Sequence, residues 1–429
     1  MNENNQSQTK IGATLRYGTD GFWLITEKIL RILNGLIVTA AIARYVGPES
    51  YGILSLALGT VLIFSAAASM GSEDINVAEL ARREKFEQWR YMLSALVIRV
   101  VWGLICLFMF CLYMLISSEQ EFLLWVLALL IPLGAFSMLG SKLHADGEFR
   151  RYAILSSISV MVGALIKVTS IYLELPLIYF AGAICLDAVS LILLQLFAVF
   201  GRTNKSLANE YFSFDNALEY FRLCLPTALS AIFVAIYFRL ELFVVNAELG
   251  NVETGLWAAI LLFLTPWSMV SSAILPIVNR QLVKQGLADV NYEKNLVKLI
   301  RIMLAIAVGA IFLNILASVT VIPLLLGEKF ARTTTSIWIV SFALIPMFLG
   351  SVQEIWIAHQ RTTGTVLKKV LIGIPLSYVF LQVFISIWGF TGAAVALLCS
   401  YTSTAILMNT IFDRPFLKLT LRALGFAHG

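Results

Sequence analysis

Five basic side chains sit inside stretches otherwise built for hydrocarbon: Lys28, Arg31, Arg99, Lys167 and Arg239. Acidic and amide residues accompany them at Glu27, Asn34, Asp187 and Glu241. An ionised group among apolar residues is costly, so each such residue is a candidate for ligand or ion binding. Glu27 and Arg31 are four apart, share one helix face and can pair. Lys28 and Arg31 are three apart and make a short basic stripe. A guanidinium grips phosphate oxygens through its forked donors. Arg31, Lys28 and Arg239 are therefore candidate anion ligands, with Glu27, Asn34 and Glu241 supporting them or, for Glu241, coupling an ion. The alternative for the long basic stems is to snorkel to the membrane surface as anchors. Lys167 and Asp187 fall in consecutive helices at similar depth and read as a structural pair. No catalytic or metal constellation accompanies these charges. The three histidines (His144, His359, His428) are scattered, the five cysteines form no CxxC pair, and HExxH, GxSxG and DxD are absent. No metal or cofactor is expected, and the chain does not read as an enzyme.

These residues must be positioned by membrane helices. Of 429 residues, 59% are hydrophobic and 13% charged, about half the charged share of an ordinary soluble domain. Uncharged runs such as 53–70, 122–139 and 390–407 match the length that crosses about 30 Å of hydrocarbon. The pattern predicts an all-α polytopic membrane protein of about twelve spans. They run near 22–44, 52–71, 91–116, 122–141, 152–173, 177–200, 222–246, 254–279, 299–318, 335–357, 366–387 and 390–412. The stretch "IPLLLGEKF" (Ile322–Phe330) is too short to cross and is expected at the outer surface. With the N-terminus inside, 23 of the 31 basic residues fall on inner loops, tails and adjoining span edges. Arg44, Lys329 and Arg332 alone fall on outer turns. Both termini are therefore expected in the cytoplasm. The scatter of the basic residues along short loops argues against nucleic acid as a partner.

A repeat divides the chain. "RYVGPESYG" (44–52) and "AELGNVETG" (247–255) place the pairs Gly47/Gly52 and Gly250/Gly255 at one offset of 203. The first turn joins spans one and two, the second spans seven and eight. Gly47 and Gly250 suit the left-handed residue that ends a helix, and Gly52 and Gly255 would let helices approach closely. "FAGA" (180–183) and "FTGA" (390–393) echo each other at spans six and twelve. Six spans per repeat give both halves the same topology, related by a pseudo-two-fold axis along the membrane normal, with the binding site between them. The expected organisation is a polar N-tail (1–21), a six-helix lobe (22–200), an interfacial linker (201–221), a second six-helix lobe (222–412) and a cytoplasmic tail (413–429).

With these stretches in view, the chain resembles the Wzx-type polysaccharide flippases of the multidrug/oligosaccharidyl-lipid/polysaccharide (MOP) exporter superfamily. The resemblance rests on "ARYVGPESYGILSLALG", "LCLPTALSAIFVAIYFRLELFVV", "NVETGLWAAI", "ILPIVNRQL" and "IPLLLGEKF", and covers nearly the whole chain. It implies alternating access between two lobes. It also implies that polyprenyl-pyrophosphate-linked oligosaccharide repeat units, such as those of O-antigen or exopolysaccharide, move from the inner to the outer leaflet of a bacterial inner membrane. Polysaccharide polymerase or chain-length machinery would be further partners, beside membrane lipids. Two departures stand out. Lipid II flippases of the superfamily carry two additional C-terminal helices, where only "RPFLKLTLRALGFAHG" follows span twelve here. Many relatives have Asp at the position of Glu241. On that resemblance Arg31, Lys28 and Arg239 would meet the pyrophosphate. The rival readings are a drug or cation exporter of the same superfamily and, from another class, a membrane oligosaccharide polymerase or ligase. The cationic character of spans one and seven weighs against the first, and the very short outer turns against the second.

Overall fold

The computed structural model describes residues 22–117, 122–201, 212–285, 290–360 and 364–425. The polar N-tail and most of the linker lie outside these. The described residues are helical almost throughout. Ten helical runs among them are long and apolar enough to cross a membrane, and a bent pair, Glu328–Ser341 with Leu344–Ile357, makes an eleventh. The first run, Phe22–Arg82, has 61 residues and would measure about 90 Å if straight, far more than one bilayer. It is broken at Gly47 (φ 79°, ψ 170°), where Pro48 cannot continue the ladder. With that break counted, the described residues carry the twelve spans expected. Large apolar side chains are exposed along the helices, Ile116 at 83% and Phe197 at 76% among them. Surfaces of this kind face lipid, and the chain is a multi-pass membrane protein.

Three spans expected to be continuous are interrupted. Span four is a helix to Ala128, a turn Leu130–Leu133, a 3-10 turn Gly134–Phe136 and a helix Ser137–Ala145. Span seven stops at Tyr237 and restarts at Leu240. Span ten bends by 46° between Ser341 and Leu344. Broken backbone at membrane depth survives only where protein or a polar cavity satisfies the freed groups. Apolar content cannot reveal such breaks, because the flanking halves are equally hydrophobic. "IPLLLGEKF" folds as a π-turn Ile322–Leu326, a left-handed Gly327 (φ 82°) and a 3-10 stretch Glu328–Thr333. It does not cross.

The chain divides into two compact units. Unit 1 holds residues up to Asn34 and Thr60–Ile232; unit 2 holds Gly35–Gly59 and Phe233–Gly429. This division follows packing, whereas the six-helix halves expected from the sequence follow the repeat. Spans one, two and seven each begin in one unit and end in the other. Span one passes over in a π-helical turn, Asn34–Val38. Its repeat partner, 203 residues on, changes geometry at the equivalent depth, at Phe238 and Arg239. The core of unit 1 gathers Met70, Leu80, Tyr91, Met138 and Tyr220. That of unit 2 gathers Trp257, Ile300, Phe348 and Leu397.

Within unit 2 the two glycine turns pack on each other reciprocally. A Cβ on Gly52 would overlap the Asn251 carbonyl oxygen, and one on Gly255 would overlap that of Pro48. Pro48 and Asn251 are themselves repeat equivalents. Reciprocal contacts of this kind define a local two-fold axis. Gly250 is left-handed like Gly47 (φ 89°). The second echo shares no packing: Gly392 lies against the Phe384 carbonyl, while the space around Gly182 is open.

Candidate functional site

In unit 1 the charged stripe of span one is organised by a residue of span five. Glu27 is 5% exposed. Its Oε1 accepts from Arg31 Nε (3.0 Å), Arg31 Nη2 (2.7 Å) and Ser156 Oγ (2.7 Å). Arg31 Nη2 also lies 2.6 Å from Ser156 Oγ. The side chain of Arg31 is 39% exposed, and its Nη1 has no hydrogen-bond partner among the described residues. A buried carboxylate and a hydroxyl thus hold the guanidinium by one edge and leave the other for a ligand. Lys28, half-buried beside it, gives Glu27, Lys28 and Arg31 together a net charge of +1. Asn34 opens the π-helical turn with its Oδ1 buried and unpartnered. Ser156→Ala is expected to lower transport about threefold, the effect of losing one modest hydrogen bond, with protein level unchanged. Initial transport rates at matched protein level check this.

In unit 2 Arg239 occupies the break of span seven. The helix Leu240–Leu249 starts immediately after it, and Glu241 falls in the first turn, where a helix N-terminus favours negative charge. Glu241 is 2% exposed and its Oε1 has no hydrogen-bond partner. Arg239 is half-buried and its guanidinium makes no hydrogen bond or ion pair within 4 Å among the described residues; its electrostatic neighbours are Glu241, Tyr401 and Tyr51. Tyr237 stacks on Tyr401 at 6.2 Å and shares a hydrogen bond with Thr404 (3.1 Å). The site combines a cation without a bonded partner, an incompletely satisfied carboxylate and three phenols at a discontinuous membrane helix. Arg31 and Arg239 belong to different compact units.

Lys167 and Asp187, both in unit 1, lie 3.5 Å apart, and Ser159 donates to Asp187 Oδ1 at 2.9 Å. Arg99 does not snorkel. It is fully buried and donates to the carbonyl of Gly134 (2.9 Å), Ser137 Oγ (2.8 Å) and Ser72 Oγ (3.4 Å). It braces the broken span four, whose freed carbonyl needs a donor. Arg99→Met would take the charged donor from that carbonyl, leaving it the Ser137 N–H, and from Ser137 Oγ, and is expected to destabilise the protein by about 1.5–3 kcal/mol, read as a lowered thermal midpoint in detergent. The neutral partners Ser156, Ser72, Tyr237 and Tyr401 carried no signal in the sequence, because hydroxyl and phenol groups are common on membrane helices.

The fold is that of MOP-superfamily transporters. An inward-facing multidrug resistance MATE transporter of that superfamily aligns over 95% of this chain and 98% of its own, at 14% identity and a TM-score of 0.70. The lipid II flippase MurJ, in an inward closed conformation, aligns over 95% and 90%, at 14% identity and 0.67. A MOP transporter from Pyrococcus furiosus, described as having a binding pocket of reverse polarity, aligns over 97% and 96%, at 14% and 0.62. Identities this low speak for the fold alone. No curated protein matches the sequence. The family is given by residues 18–283, which match the model of the polysaccharide biosynthesis proteins. The chain belongs to that family, and in its fold it is similar to the MOP-superfamily transporters, as the resemblance read from its sequence implies.

Proposed function

We propose that this protein is a flippase that carries polyprenyl-pyrophosphate-linked oligosaccharide repeat units across a bacterial inner membrane, from the inner to the outer leaflet, and is not an enzyme. The observation that carries the reading is Arg239, a half-buried cation at a helix break with no bonded partner among the described residues, in a chain of a polysaccharide biosynthesis family. A pyrophosphate cannot enter hydrocarbon unaccompanied. Fixed cations replace its water and counterions; Arg31 and Lys28 do this in span one and Arg239 in span seven. The six-helix halves act as lobes about the pseudo-two-fold axis, and both termini are cytoplasmic. Alternating access then requires the reciprocal seal of Gly52 and Gly255 to part when the site opens outward. An inside-negative potential favours outward movement of an anion by about 2.3 kcal/mol per charge per 100 mV.

The test is deletion of the gene followed by extraction of lipid-linked oligosaccharides leaflet by leaflet. Accumulation in the inner leaflet with loss of surface polysaccharide is the expected result. Outer-leaflet accumulation would assign the chain to polymerisation or ligation instead. Unchanged lipids with lost efflux of organic cations would make it a drug exporter.

A further inference from the structure

The segment after span twelve, expected as a tail, is a docked helix. Asp413 ends the span, turns the chain (φ −151°, ψ 62°) and caps the helix Arg414–Ala423 by accepting from Phe416 N at 3.2 Å. Its carboxylate also accepts from Gln353 Nε2 (2.8 Å) and Trp356 Nε1 (3.2 Å). Gln353 in turn accepts from the buried Lys369 (2.7 Å). At the far end, Arg301 donates to the carbonyls of Ala423 (3.0 Å) and Arg422 (3.3 Å). One face is buried through Phe416, Leu419, Thr420 and Ala423. The helix is therefore clamped at both ends, one residue from a membrane span.

Its exposed stripe is Arg414, Lys418, Leu421 and Leu424, at spacings of four, three and three. Water alone does not suit this stripe: Leu424 is 50% exposed, and Ile411 just before it 72%. Hydrocarbon alone does not suit it either. Arg414 spends only Nε, on the Thr410 carbonyl (2.8 Å). The Lys418 ammonium makes no hydrogen bond or ion pair among the described residues. The one acid between Asp413 and Gly425 is Asp413 itself, 8% exposed and already bonded. Two cations one turn apart lie about 5–6 Å from each other at Cβ, a spacing that lets both reach one phosphodiester. The leucines that follow them on the same face, Leu421 and Leu424, fit the acyl boundary beneath it.

We propose that this helix is a docking surface for anionic phospholipid headgroups, with Arg414 and Lys418 holding the phosphodiester and Leu421 and Leu424 lying in the acyl boundary. The proposal is independent of what the central cleft transports. The test is native mass spectrometry of the full chain carrying phosphatidylglycerol or phosphatidylcholine, for the natural sequence, R414Q/K418Q and R414K/K418R. Phosphatidylglycerol should be retained in preference. R414Q/K418Q should retain it about twentyfold less, the effect of two surface cations, while R414K/K418R keeps it. Raising salt should release the lipid from the natural protein and change little in R414Q/K418Q. Both variants alter exposed side chains, and unchanged gel filtration confirms that they fold. Equal retention by the natural protein and R414Q/K418Q would overturn the proposal. So would equal retention of the two lipids. Displacement of the lipid by inorganic phosphate at equal concentration would also overturn it, because a free anion would then be the ligand.

Discussion

Arg239→Gln is expected to reduce flipping of lipid-linked oligosaccharide by about a hundredfold, the effect of losing a charge-assisted, forked hydrogen bond to a desolvated anion. The change should leave the fold intact, because the guanidinium has no hydrogen-bond partner among the described residues. The one complication is Glu241, buried with an unpartnered oxygen and close enough to feel the Arg239 charge. Removing Arg239 alone leaves that carboxylate uncompensated, which is destabilising in its own right. R239Q/E241Q removes both charges and separates the effects. If it is folded and still inactive, the lost function belongs to the guanidinium. Arg239→Lys keeps the charge but not the fork, and should recover activity only in part. The measurement is leaflet-resolved oligosaccharide in cells whose only copy is the variant, at matched membrane level. Full activity of Arg239→Gln would remove Arg239 from the site.

The second large effect is expected at the crossing of the glycine turns. In Gly52→Val the added Cβ would overlap the Asn251 carbonyl and come within 2.8 Å of Gly255 N, both backbone atoms that no rotamer change can move. The turns must separate. Overpacking of this kind costs about 1–3 kcal/mol, which shifts a two-state equilibrium about fivefold to a hundredfold away from outer closure. Gly255→Val attacks the reciprocal contact with Pro48 and should behave alike. Both break one seal, so the double variant should be little worse than either single change. A cysteine placed at Tyr51, which is 5% exposed and packs edge-on against Phe330 at 6.5 Å, reports the opening. A membrane-impermeant maleimide added from outside should label it faster with Gly52→Val than with Tyr51→Cys alone, while transport, read in Gly52→Val that keeps Tyr51, falls. Unchanged labelling with normal transport would mean that the turns are not a gate.

Much of this architecture is legible without coordinates. Long apolar runs can be satisfied in lipid only as helices, so run length and charge fixed class and span count. The offset of 203 announced the repeat; glycine at 47 and 250 announced left-handed turns, which a side chain would strain, and glycine at 52 and 255 announced close approach, where a Cβ would meet backbone. The i, i+4 spacing of Glu27 and Arg31 sufficed for their pairing, since helix geometry alone brings them together. Three things required the tertiary structure. The breaks in spans four, seven and ten depend on donors from elsewhere in the chain, such as Arg99 for the Gly134 carbonyl, and local composition does not record a distant donor. The last segment could be a tail or a docked helix. The choice depends on Gln353, Trp356 and Arg301, which sit 60, 57 and 122 positions from the groups they bind. Finally, the sequence placed Arg31 and Arg239 in hydrocarbon but could not say which of them is already held. Glu27 and Ser156 hold one edge of the first, and nothing among the described residues bonds the second. That difference arises from three-dimensional packing, which decides the partners a charge has left once the helices have met.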